Sequence, residues 1–166
     1  MALDATRGLQ ALHEAAGGTI VHFDIKPHQF MLDEQGRVKL ADFNLCKYLN
    51  TDADGNTCPL EVSKADSAGP WRAPENVAGE AISKKLDIYS MGMVFYSMLA
   101  LRPPFLGGHL ERASQILAGI RPPVDPSWHQ GFVEIMRDMW KQEPEERPSA
   151  TEVVQRLEIL QKELAL

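Results

Sequence analysis

His22–Phe43 reads HFDIKPHQFMLDEQGRVKLADF. Two carboxylates, Asp24 and Asp42, stand eighteen positions apart in it, and Lys26, Pro27 and the amide of Gln29 follow the first. Two short apolar runs, Phe30-Met31-Leu32 and Val38-Lys39-Leu40, flank the polar four Asp33-Glu34-Gln35-Gly36. Runs of that length around a glycine-containing turn predict a small hairpin. Such a hairpin gathers an acid near each end and a lysine between them. That set suits a metal-bound polyphosphate. The lysine neutralises phosphate charge, one carboxylate orients a nucleophile and the other grips a divalent cation.

HFDIKPHQFML resembles the catalytic loop of protein kinases, written H-R-D-x-x-x-x-N, and ADFN resembles their metal-binding D-F-G. Ala73-Pro74-Glu75 is similar to the A-P-E that closes the activation segment. LDIYSMGMVFYSML resembles the buried helix that follows, and Glu145-Glu146-Arg147-Pro148-Ser149 the arginine-bearing turn near the end of the domain. The motifs run in family order from Leu9 to Leu164. The resemblance implies the C-terminal lobe of a serine/threonine-type, or tyrosine-kinase-like, protein kinase domain. The expected fold is mainly α with a small β-hairpin, a helical lobe around one buried helix.

Composition agrees with a single soluble domain: 166 residues, 44% hydrophobic and 24% charged. A formal net charge of −6 argues against nucleic acid or an anionic membrane as the main partner. No apolar run approaches the roughly 20 residues of a membrane span. The N-terminus shows no basic and apolar signal-peptide pattern. Cys46 and Cys58 fit no metal-ligand spacing and read as free thiols in a reducing compartment, a pair open to oxidation if their loop is mobile. These features point to an intracellular, cytoplasmic chain whose partners are proteins, as substrate or as binding partner.

In chain order, Ala2, Ala5, Leu9, Leu12 and Ala16 predict an opening helix that Gly17-Gly18 ends. The family's glycine-rich loop and strand lysine are not found in these residues, so residues 1–166 read as an isolated C-lobe with the N-lobe absent. The catalytic loop spans 22–32 and the activation segment 42–75. Within the latter, Asn44 to Gly69 is polar and irregular, a mobile loop carrying Thr51, Thr57, Ser63 and Ser67. Asp52-Ala53-Asp54-Gly55-Asn56 lacks the glycine and glutamate positions of a calcium loop and reads as a turn. By resemblance, Ala68 to Arg72 shapes a protein-substrate platform. Residues 85–101 are apolar nearly all round, which predicts a helix buried on every side and stopped by Arg102-Pro103-Pro104. Further helices follow across 109–164, with Ser127/Gln130 and Ser149/Glu152 spaced as capping boxes.

Carried over residue by residue, the resemblance makes Asp24 the residue that orients the substrate hydroxyl and Lys26 the cation on the γ-phosphate of ATP. Gln29 and Asp42 become the magnesium ligands. His22 and Phe43 take structural roles, Asp87 is held against backbone N–H groups of the catalytic loop, and Glu75 pairs with Arg147 in a buried salt bridge. Three positions depart from the pattern. Phe23 replaces the arginine that holds a phosphorylated activation-loop residue. Gln29 replaces asparagine and is one methylene longer. Asn44 replaces the glycine after Asp42-Phe43, where asparagine tolerates positive φ better than most residues. Those departures set a second reading beside the enzyme, a pseudokinase that docks partners without chemistry. A third is a truncated reading of a gene for a full-length kinase.

Overall fold

The computed structural model describes residues 1–50, 52, 57–61 and 69–164. Thr51, Ser63, Ser67, Ala68 and four of the five positions of the 52–56 turn lie outside the described residues. The element order is α1 (Ala2–His13), β1 (Thr19–Val21), β2 (Phe30–Leu32), β3 (Val38–Leu40), β4 (Lys47–Leu49), α2 (Pro74–Ala78), α3 (Lys85–Ala100), α4 (His109–Leu117), α5 (Gln130–Met139) and α6 (Ala150–Leu164). The chain is mainly α with a small hairpin, as the sequence implies. β2 and β3 pair antiparallel, Phe30 with Leu40 and Leu32 with Val38. A second two-stranded sheet was not foreseen: β4 pairs antiparallel with β1, Thr19 opposite Leu49 and Val21 opposite Lys47. Part of the segment expected to be irregular is therefore a strand.

The axis of the fold is α3. Its residues Leu86 to Tyr96 are all buried, because the turn-by-turn apolar pattern leaves no polar stripe for solvent. The helix stops at Ala100, where Leu101 takes a left-handed backbone (φ 53°) and stands 89% exposed. The prolines further on are thus not its terminator. α5 packs across α3 at Gly92, where an added Cβ would lie 3.0 Å from the Cβ of Met139. A side chain at position 92 would force the two helices apart. Phe95 stacks on Phe132 of α5 at 5.1 Å, and Tyr96 meets Trp128 edge-on at 5.6 Å. α6 closes the opposite side against α1 and α5.

Two helix-end expectations are corrected. α1 ends at His13, not at Gly17-Gly18, because the Thr19 hydroxyl donates to the His13 carbonyl (3.2 Å) and satisfies the last turn early. Ser127 and Gln130 form no capping box. The Ser127 N–H is taken by Asp125 Oδ1 (2.8 Å), and the Gln130 amide reaches forward to Glu134 (3.1 Å). Ser149 and Glu152 do cap α6 reciprocally: Ser149 N–H donates to Glu152 Oε2 (2.6 Å) and Glu152 N–H to Ser149 Oγ (3.2 Å).

Candidate functional site

The site is built on the loop between β1 and β2, which α3 holds from below. Asp87, fully buried in the first turn of α3, accepts the backbone N–H of His22 at 2.7 Å and of Phe23 at 2.9 Å. A buried carboxylate needs such donors, and two consecutive amides aimed at one acid bend the loop. The bend shows at Phe23, whose φ of 70° is unusual for a bulky side chain. His13 of α1 adds a third contact to Asp87, Nε2 to Oδ2 at 3.0 Å. Sequence reading assigned nothing to His13, since no spacing links a residue of α1 to one of α3.

His22 is buried and fixes the next turn. Its Nδ1 accepts the Asp24 N–H (3.4 Å), so its Nε2 carries the proton and donates to the Ala41 carbonyl (3.0 Å). Both sides of Ala41 are thereby tied down, because its N–H donates to the Gln29 carbonyl at 2.8 Å. This stitching joins the loop that carries Asp24 to the one that carries Asp42. Phe43 packs edge-on against the His22 ring at 5.7 Å while half of its surface stays open.

Asp24 is the centre of the polar cluster. Its Oδ2 accepts Lys26 Nζ at 2.6 Å and Gln29 Nε2 at 2.7 Å. Its Oδ1 accepts Arg72 Nη2 at 3.1 Å. The carboxylate is only 13% exposed, which strengthens each charge-assisted bond. A polyanion entering here meets two cations held by one acid, and a neutral hydroxyl meets a carboxylate whose orientation is fixed. Arg72 was foreseen as part of a platform and not as a partner of Asp24.

Gln29 is 3% exposed and sits at the end of a 3-10 turn, Pro27–Gln29. Because its amide nitrogen is committed to Asp24, its carbonyl oxygen is the atom left for a cation. Asp42 is exposed, in a left-handed backbone (φ 62°), and Asn44 Nδ2 donates to its Oδ1 at 2.8 Å. The asparagine at the family's glycine position thus engages one of the acid's two oxygens. Among the described residues no group of three His, Cys, Asp or Glu side chains is placed to hold a metal. One carboxylate and one amide oxygen do fit magnesium, which keeps much of its water and takes the rest of its ligands from phosphates. Cys46 lies nearby, and burial, with the charges of Asp87 and Asp42, pushes its thiol up. It is a free thiol, as is the exposed Cys58.

Below the site, Glu75 and Arg147 form a buried bidentate pair, Nη1 to Oε1 at 2.7 Å and Nη2 to Oε2 at 2.9 Å. Arg147 also donates to the carbonyls of Lys85 (3.0 Å), Gln142 (2.8 Å) and Lys141 (2.9 Å), which uses all five of its N–H groups. Its guanidinium lies 5.1 Å from the ring of Tyr89, and Arg121 lies at the same distance. This anchors the end of the 42–75 segment, through α2, to the far end of the lobe.

Residues 1–157 match the family described as Protein kinase domain. The chain is 30% identical over 162 residues to "Serine/threonine-protein kinase 12" of Arabidopsis thaliana, covering 95% of this chain and 34% of that protein. It is 30% identical over 165 residues to "Probable serine/threonine-protein kinase drkC" of Dictyostelium discoideum, covering 96% of this chain and 21% of that protein. A third similarity, 29% over 165 residues, is to "Serine/threonine/tyrosine-protein kinase HT1" of Arabidopsis thaliana, of which the chain covers 38%. The chain thus spans about a third or less of the length of the first two curated relatives it matches. Among the described residues no helix is long and apolar enough to cross a membrane.

Proposed function

We propose that this chain, which belongs to the protein kinase family, is the lobe of a serine/threonine protein kinase that carries the catalytic loop and faces the protein substrate. The reaction is transfer of the ATP γ-phosphoryl to a serine or threonine hydroxyl. The observation that carries the reading is the convergence of Lys26 and Gln29 on one oxygen of Asp24, at 2.6 and 2.7 Å.

Asp24 accepts a hydrogen bond from the incoming hydroxyl and aims its oxygen at phosphorus. Lys26, whose backbone is held extended by the following Pro27, neutralises charge on the transferring phosphoryl group. Gln29 and Asp42 would hold magnesium, which would supply positive charge to offset that of the phosphates. Asp87 and His22 keep the loop in place so that Asp24 needs no reorganisation as the reaction proceeds. Residues 69–72 receive the peptide, and Glu75 with Arg147 holds that platform against the lobe.

The family's glycine-rich loop and strand lysine are not among these 166 residues. Positioning supplies nearly all of phosphoryl-transfer catalysis, so the 166 residues alone are expected to transfer no phosphate at a useful rate. The test joins them to an N-lobe that supplies those parts and compares phosphate incorporation with and without Asp24→Asn. One observation favours a second reading, a partner-binding module without chemistry. Asn44 Nδ2 already engages Asp42, the acid that would grip the cation. Inactivity of the joined protein would favour that module.

A further inference from the structure

The resembled pattern has arginine at position 23, and this chain has phenylalanine there. Beside Lys26, a second cation reaches Asp24 from the segment just before α2. Arg72 Nη1 donates to the Phe23 carbonyl at 2.5 Å and Nη2 to Asp24 Oδ1 at 3.1 Å. Its guanidinium lies 5.6 Å from the centre of the Phe23 ring. The Arg72 side chain is 23% exposed and forms one wall of a cavity of about 190 Å³ shared with Asp24, Lys26 and Trp71. The backbone that carries it is held on both sides. The Arg72 N–H closes a turn onto the Gly69 carbonyl (3.1 Å), and Trp71 Nε1 donates to Ser97 Oγ of α3 (3.0 Å). Three residues on, Glu75 is clamped by Arg147.

We propose that Arg72 is a positioning residue that locks the end of the activation segment onto Asp24 without a phosphate group. In the arginine-bearing arrangement the catalytic loop supplies the cation and a phosphorylated residue the anion. Here the polarity is reversed: the activation segment supplies the cation, and Asp24 with the Phe23 carbonyl supplies the acceptors. Phe23 takes part in two ways. Its ring is the surface the guanidinium rests on, and its left-handed backbone presents the carbonyl that accepts Nη1. The two oxygens of Asp24 are thereby divided, Oδ2 to Lys26 and Gln29 and Oδ1 to Arg72. The purpose of this lock rests on the kinase reading of Asp24, but its geometry does not.

The test is amide hydrogen exchange on the chain itself. The N–H groups of His22 and Phe23 are donated to Asp87, so their exchange reports opening of the catalytic loop. The variants are Arg72→Met, Arg72→Gln, Arg72→Lys, Asp24→Asn and the Asp24→Asn/Arg72→Met double. Loss of the charged pair with Arg72→Met is expected to speed exchange of these two amides about tenfold, with α6 amides unchanged. Arg72→Gln keeps a polar side chain without the charge and is expected to speed it similarly, which decides the matter if methionine unfolds the chain. Arg72→Lys keeps the charge and one contact, and should recover at least half of the effect on a logarithmic scale. The double variant should exchange more slowly than the product of the two single effects predicts, because the contact between Asp24 and Arg72 is already lost in each single variant. Unchanged exchange in the uncharged variants, equal acceleration in α6, no recovery with lysine, or a double variant that multiplies the two singles would each overturn the proposal. The readout needs no phosphotransfer. A tenfold effect in a protein shown to be inert when joined to an N-lobe would keep the lock and refute the kinase reading. An active protein without the effect would refute the lock alone.

Discussion

Removal of Glu75 puts the buried pair beneath the site to a quantitative test. Arg147 is about 1% exposed and all five of its N–H groups are bonded, two of them to Glu75. Glu75→Ala leaves a buried guanidinium with two unpaired N–H groups and no counter-charge, which should cost about 3–5 kcal/mol. Arg147→Ala strands the Glu75 carboxylate, itself 4% exposed, together with the carbonyls of Lys85, Lys141 and Gln142. Unsatisfied buried groups cost about 1–3 kcal/mol each, so this change should be the more damaging of the two. With Arg147 gone the alanine at 75 removes an orphaned charge, so the double variant should lie well short of the sum. A coupling of about 2–3 kcal/mol is expected. Domains are stable by only about 5–15 kcal/mol, so the urea melts, followed by circular dichroism, need a temperature at which the weakest variant still has a folded baseline. A coupling under about 0.5 kcal/mol, with Glu75→Ala costing under about 1 kcal/mol, would refute the assignment of the pair as the anchor of the segment.

Gln29→Asn with Asn44→Gly, in a protein joining these residues to an N-lobe, should raise the initial phosphorylation rate at least about tenfold and lower the magnesium needed, since about 1 Å of misplacement costs on the order of 10²-fold. The two single changes should combine less than additively because they serve one ion, and a parent already as active as the double variant would count against an impaired site. Alanine at Thr51, Thr57, Ser63 and Ser67 together should leave the rate of that protein within a few-fold, and a hundredfold loss with folding intact would show that activation does need phosphate. Burial pushes the Tyr89 phenol up to about 12 despite the nearby Arg121 and Arg147 charges. Because the folded state then keeps a proton that the unfolded state releases, stability should be unaffected below pH 10 and fall as pH rises from about 10 to 12, with Tyr89→Phe flattening that limb in pH-dependent melts.

Most of the fold was legible because its signals are local. The apolar run of 85–101 and the hairpin around Asp33-Glu34-Gln35-Gly36 each declare themselves within a few turns or residues. The β1–β4 sheet was not legible, since three-residue strands separated by the whole stretch from His22 to Phe43 carry no periodicity of their own. Helix ends went astray where a side chain beyond the helix decided them, as with Thr19 closing α1. At the site, the stretch from His22 to Phe43 held the side chains of Asp24, Lys26 and Gln29 that the structure brings together. The partners supplied from elsewhere were hidden, His13 on Asp87 and Arg72 on Asp24, because each lies dozens of residues from the group it touches. Phe23 reads in sequence as a loss of charge. Only the packed structure puts a guanidinium on its ring.

The most direct test of the central claim is transfer of labelled γ-phosphate from ATP to serine and threonine peptides by a protein that joins these residues to an N-lobe, run beside its Asp24→Asn form. The account predicts magnesium-dependent incorporation on hydroxyl residues that falls about 10²-fold or more with Asp24→Asn, while the overall fold is kept. Equal incorporation by the two proteins, or none by either with both correctly folded, would contradict it.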